Sequence, residues 1–192
     1  DARQATAQAD EALVHAREAA PQAPRPLVLA GQRAFARGDH TQALADWGQL
    51  LNTDPRSFGL VARDYAKCAL VKGNPGAALE QLRALYARAP SVDLLAAMAT
   101  LDADPAHQSE RLIDHMREHP TLTAAQHLLT LTDAQPLQGR ALASLRDALA
   151  RAAKPLQRYR CAACAFEAQH YFWQCPGCLS WDTYPPQRLE DQ

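Results

Sequence analysis

Residues Leu29–Pro55 read LAGQRAFARGDHTQALADWGQLLNTDP. The stretch parses as helix, tight turn, helix, stop. Gly31 permits a close helix crossing, Gly38-Asp39 makes the turn, and Ala43 packs small. Trp47 fills the groove so formed, and Pro55 ends the unit. Small residues let paired helices approach, and one large residue locks the pair. A proline stands where the preceding helix must already have stopped. The same order returns at Ala66, Gly73-Asn74, Ala78, Leu82 and Pro90.

The unit recurs along the chain. Prolines fall at Pro21, Pro55, Pro90, Pro120 and Pro155, in steps of 34, 35, 30 and 35 residues. A period near 34 with helical filling is the signature of tetratricopeptide repeats. The third unit, Ser91–Pro120, is shortened, and the fourth, Thr121–Pro155, keeps its length but loses the small-residue pattern. Before them, Gln4–Pro21 reads as a second helix alone, with Ala9, Leu13 and Ala16 on one face. A half repeat leaves an apolar face uncovered, and the chain opens on Asp1 rather than Met. The expectation is a trimmed piece of a longer array. The predicted fold is an all-α solenoid of antiparallel helix pairs over residues 1–154, a half repeat plus about four repeats, followed by a small metal module over 155–192.

Composition agrees. The 192 residues are 47% apolar, with few aromatics and glycines, which favours helices and suffices for a core. A net charge of -1 gives no call for nucleic acid or an anionic membrane. No apolar run approaches the roughly 20 residues of a membrane span, and no secretory signal is visible. Solenoids of this kind bind partner segments on their inner face. The repeat geometry points Arg25, Gln32, Phe35, Arg63 and Lys67 toward that groove as candidate partner-binding residues.

Four of the five cysteines cluster near the end, as Cys161-x-x-Cys164 and Cys175-x-x-Cys178 with ten residues between the pairs. Each CxxC makes a knuckle in which two thiolates converge. Two facing knuckles make one tetrahedral S4 site for zinc or a single iron. The module is too small for a hydrophobic core of its own, so the metal supplies on the order of 10 kcal/mol of its folding free energy. Thioredoxin-type dithiol chemistry needs a strand–helix turn in a βαβ unit, and none is present. A nucleic-acid ribbon should be basic, yet from Pro155 onward three arginines face four acids. Seven aromatics (Tyr159, Phe166, Tyr171, Phe172, Trp173, Trp181 and Tyr184) exceed what the module can bury. With the short linker Pro155-Leu156-Gln157, they predict a module fixed against the last helices.

Other motifs read as structure. His115–His119 matches the inverted zinc-peptidase pattern HxxEH, but Pro120 ends that helix and no third ligand follows. A surface histidine pair near a helix C-terminus is the expectation. Cys68 reads as a small buried apolar residue. The stretch KGNPGAA is an inter-helix turn without a phosphate-loop pattern.

Repeats ending in YRCAACAFEAQHYFWQCPGCLSWDT closely resemble the lipopolysaccharide assembly protein B family of Gram-negative bacteria. That family closes on a rubredoxin-like metal module of pattern YRCxxCGF…WxCPxCxxW. Tyr159, Arg160, Cys161, Cys164, Phe166, Trp173, Cys175, Pro176, Cys178 and Trp181 match it. Ala165 stands where the family has glycine, so this loop is strained or differently turned. The resemblance implies a non-enzymatic adaptor held by an N-terminal membrane helix, absent here, on the cytoplasmic face of the inner membrane. It implies that the adaptor brings the deacetylase LpxC to the membrane protease FtsH and so restrains lipopolysaccharide synthesis. An inner-membrane regulator is implied to restrain the adaptor in turn. It implies metal ligation by the four clustered cysteines, with iron and zinc both open. The alternative is an iron-dependent redox or sensing protein using the same site.

Overall fold

The structure, a computed structural model, describes residues 2–21, 23–119, 121–131, 146 and 149–192. The middle of the fourth unit and the marker Pro120 lie outside the described residues.

The first complete pair is α2 (Pro24–Ala36) and α3 (His40–Thr53), preceded by α1 (Ala2–Ala19). Proline at the start of α2 leaves no orphan N–H there. Gly38 takes φ 78° and ends α2, and the Asp39 carboxylate accepts from Gln42 N at 3.0 Å to cap α3. Trp47 is fully buried, and its Nε1 donates to Val28 O at 3.2 Å. A Cβ on Gly31 would lie 2.2 Å from Trp47 Nε1 and 2.5 Å from Cδ1. The indole therefore occupies the space that the missing side chain leaves. Ala34 and Ala43 of the same pair are buried, as are Ala62, Ala66 and Ala78 of the next.

The second unit departs from a single first helix. Asp54 caps a one-turn α4 (Pro55–Phe58) through Ser57 N and Ser57 Oγ, and α5 (Ala62–Val71) follows after Gly59–Val61. Pro55 thus opens the next element as well as closing the last. Gly73 at φ 71° turns the chain into α6 (Pro75–Tyr86). The third unit is α7 (Val92–Leu101), capped by Ser91, and α8 (Pro105–Glu118), capped by Asp104. The fourth opens on α9 (Leu122–Leu131), and residues 149–153 are helical. α3 lies on α5, α5 on α7, α6 on α7 and α8 on α9. Each second helix thus packs on the first helix of the next unit, and α5 lies beside α7, as in a repeat solenoid. Among the described residues, no helix is long and apolar enough to cross a membrane.

Cys68 is buried as expected, 3.3 Å from His40 Nδ1, and burial pushes its thiol up to about 11. The histidine pair of α8 differs from expectation. His119 is partly exposed, but His115 is 2% exposed and turns inward, its Nδ1 2.6 Å from the Tyr86 hydroxyl of α6. Among the described residues its Nε2 has no hydrogen-bond partner. Desolvation, helped by His119, pulls its pKa down to about 4, so it is neutral rather than a cation at the helix end.

Two outcomes follow. Gly31→Ala forces the Trp47 ring to move and costs about 2 kcal/mol, read as a lowered urea midpoint. The folded chain holds His115 neutral, so that contribution is intact above the unfolded value of 6.5 and declines as pH falls toward about 4. Urea titrations across that window should show a loss of about 3 kcal/mol that His115→Gln removes.

Candidate metal centre

Each CxxC sits at the tip of a short antiparallel hairpin. β1 (Tyr159–Arg160) pairs with β2 (Glu167–Ala168), and Gln174 bridges Trp181. The two tips repeat one another. Ala165 N donates to Cys161 O at 2.9 Å, and Leu179 N to Cys175 O at 2.8 Å. Cys161 N donates to Phe166 O at 3.0 Å, and Cys175 N to Ser180 O at 2.9 Å. This closure needs a left-handed residue after the second cysteine, and Ala165 and Leu179 both take φ 60°. Of the two expectations for Ala165, the structure shows the strained one: the loop keeps its turn and alanine bears the cost.

The four sulfurs converge. Cys161 and Cys178 Sγ are 3.9 Å apart, Cys164 and Cys175 Sγ 3.6 Å, and all four lie within 4.8 Å of one another. A tetrahedron of sulfurs at about 2.3 Å from a central ion has edges of about 3.8 Å. Cys161 and Cys175 are buried, whereas Cys164 and Cys178 reach the surface. The Thr183 hydroxyl, 3.1 Å from Cys161 Sγ, is the chief cause that pulls that thiol down to about 6. Ser180 lowers Cys178. At Cys164 the Phe166 N–H also favours the thiolate, but burial and the other three sulfurs outweigh it and push the thiol up to about 12. Four thiolates cannot share this volume without a cation. The residues therefore fit one tetrahedral S4 ion, held by Cys161, Cys164, Cys175 and Cys178, and both zinc and iron suit the set. It is the one cluster of potential ligands among the described residues; His115, Glu118 and His119 form none.

Around the sulfurs, Tyr159 and Tyr184 are buried with Cys161 and Cys175, and Leu60 from the α4–α5 turn packs onto them. Tyr171 stands edge-on to Tyr159 and Trp173, at 5.6 and 4.9 Å. Trp173 packs against the repeat core. Phe166, Phe172 and Trp181 stay partly exposed. The aromatics thus divide between a miniature core and a docking surface, as the sequence suggested.

Docking reaches further than expected. Arg188 Nε donates to Asp93 of α7 at 3.0 Å, and its guanidinium lies 5.2 Å from the Tyr159 ring. Glu190 accepts from Thr123 N at 3.2 Å and from the Thr123 hydroxyl, at the first turn of α9. Gln157 donates to the same hydroxyl. Asp191 takes a hydrogen bond from the backbone of Val92, and burial, with Asp93 and Glu190 beside it, pushes it up to about 7. At the other end, Arg25 of α2 lies 4.4 Å over Trp181 and 5.6 Å over Trp173. The module therefore touches every unit from the first complete pair to α9, not the last helices alone. A short linker lays the module across α2, the α4–α5 turn, α7 and α9. An apolar cleft of about 1000 Å³ remains between α1, α2 and the module, lined in part by Leu13, Ala16, Leu29, Trp173 and Tyr184.

Of the candidate partner-binding residues, Arg25 is engaged by the module. Phe35 is half-buried, 6.0 Å from the Trp47 ring and 5.8 Å from His40. Gln32 and Arg63 are exposed, and Lys67 is exposed with its Nζ 2.7 Å from Asp64. Thr183, Arg188 and Glu190 were not singled out from sequence, because nothing in their spacing marks them.

Residues 159–186 match a family described as the rubredoxin metal binding domain. The chain is similar to lipopolysaccharide assembly protein B of Escherichia coli K12, 24% identical over 171 residues. That match covers 85% of this chain and 44% of the relative. The proteins of the same name from the O6:H1 and O157:H7 strains match equally. The chain thus spans under half the length of these relatives, and the resemblance seen in the cysteine motif extends back through the repeats.

Ala165 yields a direct outcome. Ala165→Gly removes left-handed strain of about 1–2 kcal/mol and returns part of it as chain entropy. The metal-loaded module should gain about 0.5–1 kcal/mol, read as a raised midpoint in chelator-driven unfolding.

Proposed function

We propose that this chain is a non-enzymatic scaffold that acts in the regulation of lipopolysaccharide biosynthesis, with its metal in a structural role. The observation that carries the reading is the clamping of the S4 module onto the repeats. Its arginine, glutamate and two tryptophans are committed to α2, α7 and α9, so the ion fixes the shape of a composite surface. Similarity to lipopolysaccharide assembly protein B over both repeats and module supports the pathway. In this reading residues 1–154 bind partners and residues 155–192 stiffen the surface they meet. Gln32, Arg63 and Lys67 remain exposed on the repeats for contact. The partners are the deacetylase LpxC, the membrane protease FtsH and an inner-membrane regulator. The chain works on the cytoplasmic side of the inner membrane, through an anchor outside this sequence.

The bound ion would supply charge compensation for four thiolates. The protein's own residues do the rest: backbone N–H groups of the knuckles orient the sulfurs, and Arg188 and Glu190 hold the module to the stack. One observation favours the redox alternative, the exposure of Cys164 and Cys178, which gives electrons a path to the site.

The test is the half-life of LpxC in cells of the source bacterium carrying the intact gene or Cys161→Ser with Cys164→Ser. A longer half-life in the mutant, with the repeats still folded, is the expected result. An unchanged half-life refutes the adaptor reading. Function that follows the oxidation state of iron, and fails when a redox-inert ion is substituted, replaces the structural role with the redox one.

A further inference from the structure

The sulfur cage is asymmetric. Cys164 and Cys178 lie at the surface, whereas Cys161 and Cys175 are 1% and 0% exposed. A surface thiolate is hydrated, but a buried one must find its hydrogen-bond donors within the protein. Two consecutive residues bring hydroxyls to the buried pair: Thr183 Oγ1 accepts from the Cys161 thiol at 3.1 Å, and the Tyr184 hydroxyl is 3.9 Å from Cys175 Sγ. The two are not equivalent. The Tyr184 hydroxyl donates to Phe166 O at 3.2 Å and lies farther from its sulfur. The Thr183 hydroxyl is close to sulfur, and its backbone is pinned to the same knuckle, since Ala162 N donates to Thr183 O at 2.8 Å. A β-branched side chain on an anchored backbone has little rotamer freedom. Its hydroxyl is therefore held against the most enclosed face of the first knuckle.

We infer that Thr183 is a positioning residue for the metal. Once Cys161 is ionised on a bound metal its sulfur has no proton to give, so the Thr183 hydroxyl would donate to it, fix the direction of that sulfur and draw off part of its charge. It thereby sets how tightly the ion is held and how readily the sulfur gives up electron density. Partners outside the ligand shell have this effect in metal sites generally. The inference rests on the assignment of the four cysteines as a metal site, and it adds a fifth residue that the CxxC spacing does not announce.

Cobalt(II) is the probe, added to the full chain as wild type, Thr183→Val and Thr183→Ser, with affinity read by chelator competition. Valine keeps the shape and removes the hydroxyl; serine keeps the hydroxyl and removes the methyl. The valine variant should bind cobalt about 10–100-fold more weakly. Its sulfur-to-cobalt charge-transfer band should move to longer wavelength, because an unbonded thiolate is easier to oxidise. The serine variant should restore both. Wild-type affinity and band position in the valine variant overturn the inference. So does a serine variant that behaves like valine, which assigns the effect to methyl packing. A wild-type chain that forms no tetrahedral thiolate–cobalt complex overturns the metal assignment itself, and that outcome is distinct from either of the others.

Discussion

Four sulfur atoms within 4.8 Å of one another repel as thiolates unless a cation lies among them. The rest of the C-terminal architecture depends on that repulsion being answered. The two hairpins are each held by a two-residue ladder or a single bridge. Such pieces do not persist alone in water. Once the sulfurs are held, Tyr159 and Tyr184 close over the buried pair, and the outer face of the module becomes rigid enough to dock. Docking in turn needs a receiving surface that is already formed, and the Gly31–Trp47 contact provides it. That contact brings α2 and α3 together and so places Arg25 under the two tryptophans.

Left-handed strain is concentrated in the module. Ala165, Leu179 and Asp182 are the non-glycine residues with positive φ among those described, and all three flank the sulfur cage. In the repeats, the same backbone need at Gly38 and Gly73 is met by glycine at little cost. A metal-bound loop tolerates strain that a helix turn would not, because ligation holds its ends regardless.

Much of this was legible in the sequence, and the division is physical. Repeats show in a sequence because each unit is packed by residues within about 30 positions of one another, so spacing alone exposes Gly31, Ala43 and Trp47. The knuckles show because ligand geometry is local to four residues. The docking did not show. Arg188 meets Asp93 across 95 positions, and Glu190 meets Thr123 across 67. Isolated charges at such separations have no pattern to betray them. The inward turn of His115 was hidden for a related reason: its partner Tyr86 sits on another helix, and HxxEH spacing describes one helix only. The break after α4 was missed because Gly59 within a helical pattern signals a kink or nothing, and only tertiary contact decides.

The run of contacts from Arg25 to Glu190 has a consequence for cooperativity. An open stack of repeats behaves as a one-dimensional array, in which end units fray and each unit feels only its neighbours. Here the chain's last residues grip the third and fourth units while the module's tryptophans grip the first complete pair. From α2 to α9 the line is closed on itself, which leaves α1 as the free end from which to unzip. Loss of the ion at the far end of the chain is then felt at α2 as directly as at α9. The described units from α2 to α9 are then expected to melt together rather than one by one.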